Sequence, residues 1–244
     1  MKVISFFSAK GGTGKTTFNV LLASYIKYKL GKRVMVLDFD FPEYNLGFMR
    51  ERDLRYMERE GILFEETDLY AVEKVPKMSA RSLDTLSKTF GNLSDELDYL
   101  ILDFPGSFAA EDPATQLMAE GYIDLMVIPV ELDPMIIASM LTLSRILKEY
   151  GQRSLLFFNR VYGREPKEAY QRVREWFGEE GFHLSEHFVK QSTSLKKEMD
   201  EKSHVRSTVH FPAGYANRQN PGIVKLFDEL LEYVQKEEKT EGNA

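Results

Sequence analysis

A short stretch around residue 13 combines glycines, two lysines and hydroxyl side chains, which are residue types suited to binding phosphate. It consists of Lys10, Gly11, Gly12, Thr13, Gly14, Lys15 and Thr16, followed by Thr17. When such a loop lies between a strand and a helix, its backbone N–H groups point inward and the helix N-terminus adds partial positive charge. Lys15 then reaches the β- and γ-phosphates, and the Thr16 hydroxyl ligates Mg²⁺. The stretch predicts a nucleoside triphosphate site.

Three aspartates follow apolar runs, at positions where strand ends would place them beside this loop. Asp103 closes one run, and a carboxylate at the carboxyl end of a neighbouring strand fits binding of Mg²⁺ through water. Asp38 and Asp40 follow another run, and these carboxylates could orient the water that attacks the terminal phosphate. Polar residues at strand ends also cap the following helix, which is the structural alternative for this pair.

Apolar runs alternate with helical patterns, which predicts strand–helix–strand units in a mostly parallel, twisted α/β sheet with helices on both faces. The predicted strands are Val3–Ser8, Arg33–Phe39, Asp68–Val75, Tyr99–Phe104, Leu125–Val130, Ser154–Asn159, Phe182–Lys190 and Arg206–Phe211. The predicted helices are Thr16–Leu30, Leu46–Glu60, Ala80–Phe90, Met135–Tyr150, Glu165–Gly178, Leu195–Glu201 and Gly222–Gln235. Glycines in C-cap position end four of them, namely Gly31, Gly61, Gly91 and Gly151.

Size and composition favour one domain over residues 1–244, with a frayed end of about ten residues. Cysteine is absent, so this chain can build neither a disulfide nor an iron–sulfur cluster. A net charge of −6 argues against a globally basic nucleic-acid binder but leaves room for a local basic face. The apolar stretches are strand-sized, so we expect a cytoplasmic protein with no membrane partner.

The glycine loop resembles the deviant Walker A motif of the ParA/MinD family, because Lys10 precedes the glycines. The resemblance continues in residues 38–40 and 103–106, which look like the two switch segments of that family. Asn159 and Arg160 are similar to its adenine-side motif. These landmarks span residues 1 to 160 and imply a P-loop NTPase fold, closest to ParA-type partition proteins. Residues 49–53 are similar to ParA-like proteins of conjugative elements.

The resemblance also implies roles for single residues. Lys10 would cross a homodimer interface to the partner's phosphates, and a cation supplied in this way is worth about 10³–10⁵ in rate; its alternative is a solvated loop lysine. Asp40 would orient or activate the attacking water beside Lys15, and Asp38 would hold magnesium-bound water. Asn159 would read adenine, because an amide offers a donor and an acceptor to the base edge; its alternative is a turn residue that ends a strand.

DNA is the partner that the resemblance implies, together with a protein that stimulates ATP hydrolysis. ParA-type dimers bind duplex without sequence preference through basic residues in the C-terminal part. The candidates here are Lys190, Lys196, Lys197, Lys202, Arg206 and Arg218. Acidic residues are interspersed among them, so a solvated charged surface is the alternative interpretation.

The chain departs from the family pattern at three places. Ala9 stands where the common P-loop motif has glycine, and Asp40 is followed by Phe41, Pro42 and Glu43 instead of Pro-Gln. No proline occurs near Val189, where the family often has one beside the base. Two other functions therefore stay open: an ATP-gated switch that positions a protein cargo without DNA, and a small-molecule enzyme similar to dethiobiotin synthetase.

Overall fold

The computed structural model describes residues 1–8, 12–77, 88, 90–106, 112–163, 166–192, 206–212 and 220–236. Within these ranges, seven parallel strands form one sheet in the order β3-β2-β4-β1-β5-β6-β7. The strands are β1 Lys2–Phe6, β2 Val34–Asp38, β3 Ala71–Lys74, β4 Tyr99–Asp103, β5 Leu125–Val130, β6 Ser154–Phe158 and β7 His183–Leu184. The predicted α/β class with a parallel sheet is confirmed.

Helices connect the strands on both faces of the sheet. The helices whose two ends both lie in the described ranges are α1 Lys15–Tyr28, α2 Asn45–Arg59, α3 Pro113–Ala119, α4 Pro134–Glu149, α5 Lys167–Glu179 and α6 Gly222–Gln235, with a 3₁₀ turn at Glu66–Asp68. Across the described ranges, none of the helices combines the length and the apolar character needed to cross a bilayer. Helix α3 was not predicted from the sequence.

The core is divided by the sheet because side chains alternate between its two faces. Ile4 and Phe6 of β1 pack on one face with helices α1, α2 and α6. Val3 packs on the other face with helices α3, α4 and α5. Both faces are covered, which explains why the strands read as continuous apolar runs in the sequence.

The topology brings sequence-distant strand ends to one edge. Strand β1 lies between β4 and β5, so the loop that leaves β1 emerges beside the carboxyl end of β4. Strand β2 pairs with β4 in a register that sets Asp38 opposite Asp103. In open parallel sheets, ligands bind outside the carboxyl ends of the strands. The three aspartates and the glycine loop therefore share the edge where a ligand is expected.

Helix ends agree with the sequence in three places and differ in one. Gly31, Gly61 and Gly151 have positive φ just after α1, α2 and α4, as a glycine C-cap requires. The predicted end at Gly91 is wrong, because the chain is helical over residues 90–93. The predicted helix Leu195–Glu201 and most of Ala80–Phe90 lie outside the described residues, as do the last eight residues of the chain.

The predicted strand Arg206–Phe211 is also wrong. Two backbone N–H groups donate to the Arg206 carbonyl at 3.1 and 3.2 Å, which makes a turn. The Asp53 carboxylate of α2 accepts the Thr208 hydroxyl at 2.8 Å, and the Tyr28 hydroxyl of α1 donates to the Thr208 carbonyl at 3.0 Å. The segment thus forms hydrogen bonds with two helices instead of with a neighbouring strand.

The predicted strand Phe182–Lys190 is reduced to the two residues of β7 and one isolated bridge between Val161 and Lys190. Between them, the Ser185 hydroxyl accepts the backbone N–H of His187 at 2.9 Å. This side-chain turn interrupts the ladder between the Ser185 N–H, which donates to the Leu156 carbonyl, and the Val189 N–H, which donates to the Phe158 carbonyl; serine hydroxyls compete with strand ladders in this way.

Candidate nucleotide site

The glycine loop joins β1 to α1, in the order that the sequence predicted. Gly12 and Gly14 have φ of 77° and 94°, a left-handed conformation that side chains disfavour. Lys10 and Gly11 lie outside the described residues. The Thr13 side chain is buried, and its hydroxyl is 2.5 Å from the Ser8 hydroxyl. The described part of the loop is therefore held from inside the protein.

Lys15 begins α1 at the floor of this loop, and only 8% of it is exposed. Burial lowers the pKa of its ammonium group, while the carboxylates of Asp103 and Asp40 act in the opposite direction. Both aspartates are thus close enough to Lys15 to interact with it electrostatically. A cation with this environment is suited to a polyanionic ligand, because little water competes for it.

Asp103 is the most constrained carboxylate of the site. It is fully buried, and its Oδ1 accepts hydrogen bonds from Asn19 at 2.7 Å and from Thr16 at 3.3 Å. Its Oδ2 has no hydrogen-bond partner among the described residues. Burial and then the charge of Asp38 raise the pKa of Asp103 to about 7, although the two hydrogen bonds favour the ionised form.

An unpartnered buried carboxylate oxygen beside a threonine hydroxyl fits a magnesium ion. Mg²⁺ takes oxygen ligands, keeps several waters and is usually bound by one or two protein groups together with substrate phosphates. Thr16 and Asp103 provide such oxygens next to Lys15. A cation at this place would also favour the ionised form of Asp103. The residues present therefore fit the group that the sequence predicts.

Asp38 is fully buried, and both of its oxygens are engaged. Oδ1 accepts the backbone N–H of Asp40 at 3.0 Å, and Oδ2 accepts that of Gly47 at 2.9 Å. Burial raises the pKa of Asp38, while these hydrogen bonds lower it. Asp38 thus holds the loop after β2 and the first turn of α2. Its role with magnesium-bound water stays a prediction.

Asp40 follows in that loop and is partly exposed. Its Oδ2 accepts the amide of Asn45 at 2.7 Å, and its backbone carbonyl accepts the N–H of Tyr44 at 2.7 Å. The loop also contains a cis peptide bond before Pro42. The hydrogen bond from Asn45 thus holds the Asp40 carboxylate, while the residue stays partly exposed.

A cavity of about 90 Å³ borders the glycine loop and the end of β6. It is lined by Thr13, Gly14, Thr17, Phe18, Asn159, Arg160, Val189, Lys190, Gln191 and Ser192. Sequence reasoning placed Thr13, Gly14, Thr17 and Asn159 at the nucleotide, and the fold brings these four together. Phe18 and Gln191 were missed, because neither has a signal in the sequence that separates it from an ordinary core or loop residue.

Asn159 and Arg160, at the end of β6, both reach the glycine loop. The Asn159 amide nitrogen donates to the Thr13 carbonyl at 2.9 Å, and the Arg160 guanidinium donates to the Gly12 carbonyl. Arg160 also forms an ion pair with Glu131 at 3.0 Å. Its backbone has φ of 52°, which is uncommon for a residue other than glycine.

The residues predicted to contact DNA are divided by the structure. Lys190 is exposed at the nucleotide cavity. Arg206 is buried, with its guanidinium 4.4 Å from the centre of the Tyr56 ring and 3.8 Å from the Asp53 carboxylate. The expectation that Arg206 contacts DNA is therefore wrong. The other four candidates lie outside the described residues.

Comparison with solved structures gives the same fold. A chain of the MinC:MinD cell division protein complex from Aquifex aeolicus superimposes with a TM-score of 0.65 at 18% identity, over 95% of this chain and 96% of that one. The pNOB8 ParA bound to nonspecific DNA gives a TM-score of 0.58 at 19% identity, over 95% and 99%. At these identities the likeness concerns the fold.

Sequence comparison identifies the family. An uncharacterized ATP-binding protein of Methanocaldococcus jannaschii is 30% identical over 141 residues, which are 52% of this chain and 53% of that protein. The chain thus spans about half the length of the curated relative that it matches. The profile of the family described as ATPase MipZ matches residues 2–142, more than half of the chain. The chain belongs to the MipZ ATPase family, within the ParA/MinD group that its glycine loop predicts.

Proposed function

We propose that this chain is a ParA-type ATPase that dimerises on binding Mg²⁺-ATP, positions or partitions DNA, and is reset by hydrolysis. The observation that carries the nucleotide part is the unpartnered Oδ2 of Asp103 beside Thr16 and Lys15. In this arrangement the buried carboxylate oxygen of Asp103 can bind a cation, and the buried ammonium group of Lys15 can bind a phosphate. The family membership and the ATP-binding relative support the same ligand.

Phosphoryl transfer to water needs positioning and positive charge more than covalent chemistry. Lys15 and the backbone N–H groups of the loop bind the phosphates. Thr16 and Asp103 hold Mg²⁺, which neutralises charge on the phosphate oxygens when it is bound. Asp40, fixed by Asn45, orients the attacking water, and Lys10 completes the partner subunit's site.

The DNA part of the proposal has support of a different kind. The solved ParA bound to nonspecific DNA shares this fold, and the sequence carries basic residues on both sides of the turn at 206–211. In this proposal the ATP-bound dimer presents the basic residues to the duplex, and a partner protein stimulates hydrolysis.

The test is binding to an arbitrary labelled duplex, measured by fluorescence anisotropy with ATP·Mg²⁺ and with ADP·Mg²⁺. We expect binding with ATP only, weakening steeply with salt because phosphate contacts release counterions. Lys10→Ala should abolish binding, while Lys29→Ala, at the exposed end of α1, should preserve it. Absence of binding in both nucleotide states would contradict the DNA part.

A second function is favoured by charge and burial. The chain carries a net charge of −6, and one of its six predicted DNA contacts, Arg206, is buried. An ATP-gated switch for a protein cargo needs no basic face, and one matching chain comes from a complex of two cell division proteins. ATP-dependent dimerisation in sedimentation, together with no affinity for duplex at low salt, would support this second function.

A further inference from the structure

A loop that binds phosphate through its N–H groups must keep its carbonyl groups turned away. The described part of the glycine loop shows how three consecutive carbonyls are held. The Gly14 carbonyl accepts the backbone N–H of Phe18 at 2.9 Å, as the first bond of α1. The Thr13 carbonyl accepts the Asn159 amide at 2.9 Å, and the Gly12 carbonyl accepts the Arg160 guanidinium.

Two of these three carbonyls therefore depend on neighbouring side chains of a remote strand end. Asn159 is 6% exposed, and its backbone N–H continues the sheet ladder to the Val130 carbonyl at 2.8 Å. Arg160 leaves the ladder in a left-handed conformation and is fixed by Glu131, which follows β5. The ends of β5 and β6 thus determine where the two side chains reach.

We infer that Asn159 and Arg160 are positioning residues. They fix the conformation of the phosphate loop by binding the Thr13 and Gly12 carbonyls, so that these carbonyls do not point at the phosphates. The Asn159 amide directs one of its two N–H groups to the Thr13 carbonyl, so the side chain supports the loop whether or not the second N–H meets a base. The inference rests on the proposed binding of a nucleotide at this loop. It assigns the effect of both side chains to the phosphates and not to the base.

A ligand without a base separates the two roles. We would measure the affinity of the full chain for ATP and for inorganic tripolyphosphate, each with Mg²⁺, by calorimetry. Losing a hydrogen bond from a charged donor costs about ten- to hundredfold in affinity. Arg160→Gln should therefore weaken both ligands by about ten- to hundredfold. Asn159→Ala, which removes a neutral donor, should weaken both by about two- to tenfold. In each variant the ratio of the two affinities should stay unchanged.

Matched variants give the scale of the effect. Arg172→Gln makes the same change at an exposed position of α5 and should leave both affinities unchanged. Glu131→Gln removes the charge that orients Arg160 and should weaken both ligands by a smaller factor. Arg160→Lys keeps a cationic donor, so it should recover part of the loss and serves if the glutamine variant does not fold. Thermal unfolding without ligand checks the fold of each.

A fall in ATP affinity with tripolyphosphate binding intact would overturn the inference and make the pair base readers. Unchanged affinity for both ligands would overturn it too, because the loop would then need no support from β6. Failure of the proposed function looks different: the unaltered chain itself would bind neither ATP nor tripolyphosphate.

Discussion

Three aspartates at the carboxyl edge of the sheet differ in what already holds their oxygens. Both oxygens of Asp38 accept hydrogen bonds from backbone N–H groups, so this residue organises the loop before α2. One oxygen of Asp103 accepts hydrogen bonds from side chains, and the other has no hydrogen-bond partner among the described residues. Asp40 is partly exposed and interacts with Lys15. Neighbouring carboxylates of one kind can thus serve different tasks because their hydrogen-bond partners differ.

Replacing Asp40 tests the task that we assign to it. Asp40→Ala should bind ATP as tightly as the unaltered chain and lose turnover by about a hundredfold or more, because a general base or water-orienting group is worth about that much. Asn45→Ala removes only the side chain that fixes Asp40 and should cost less. Phosphate release at saturating ATP, with a separate binding titration, gives both quantities.

Intact turnover in Asp40→Ala would rule out this assignment. A simultaneous loss of binding would instead place Asp40 in the phosphate site itself. Lys15→Ala is the reference for that outcome, since removal of its buried ammonium should abolish nucleotide binding.

Among the elements, helix α6 is fixed by a backbone contact at its first residue. A side-chain carbon at Gly222 would lie 2.2 Å from the Phe188 carbonyl oxygen. Asn220, two residues earlier, accepts the backbone N–H of Lys190 at 2.7 Å. The start of α6 therefore approaches the chain after β7 more closely than any side chain allows.

This contact predicts opposite effects for two glycine-to-alanine changes. Gly222→Ala should lower the free energy of unfolding by about 1–3 kcal/mol, the usual cost of overpacking. Gly178→Ala lies inside α5 with nothing within 4 Å of the added carbon, so it should raise stability by about 0.5–1 kcal/mol. Urea denaturation measures both, and equal effects of the two changes would contradict the close approach.

How much of the structure the sequence predicts depends on the range of the interactions involved. Strand Leu125–Val130 and helix Gly222–Gln235 have the predicted bounds, because apolar runs and helical periodicity are local signals. The local sequence at 206–211 predicts a strand, but the segment forms a turn. The hydrogen bond from Thr208 to Asp53, more than 150 residues earlier, overrides the local strand preference. The same holds for the contacts of Arg160 with the glycine loop, which depend on the ends of two strands.

At the scale of the whole molecule, Asp53 connects α2 to the C-terminal part of the chain. It is fully buried, forms an ion pair with Arg52 at 2.7 Å, lies 3.8 Å from Arg206 and accepts the Thr208 hydroxyl. Since Asp38 holds the first turn of the same helix, α2 spans from the nucleotide edge to the turn at 206–211.

Removing this carboxylate should destabilise the protein strongly. Asp53→Ala removes the carboxylate that faces the buried Arg206 and the partly buried Arg52, and the loss of one partner of a buried ion pair costs about 3–5 kcal/mol. Glu51→Ala, on the exposed side of the same helix, removes surface ion pairs with Lys74 and Arg55 and should cost less than about 1 kcal/mol. Guanidinium denaturation gives the free energy of unfolding of both variants. A loss for Asp53→Ala as small as that for Glu51→Ala would refute the stabilising role of the Asp53 carboxylate.

The position of β1 in the middle of the sheet also bears on how the chain is made. Its partners are β4, beginning at Tyr99, and β5, beginning at Leu125. Ribosomes synthesise about 5–20 residues per second, so several seconds pass between the synthesis of β1 and that of either neighbouring strand. The glycine loop that follows it cannot close until both have emerged. Nucleotide binding is therefore a late event in biogenesis, and the nascent chain needs protection from aggregation until then.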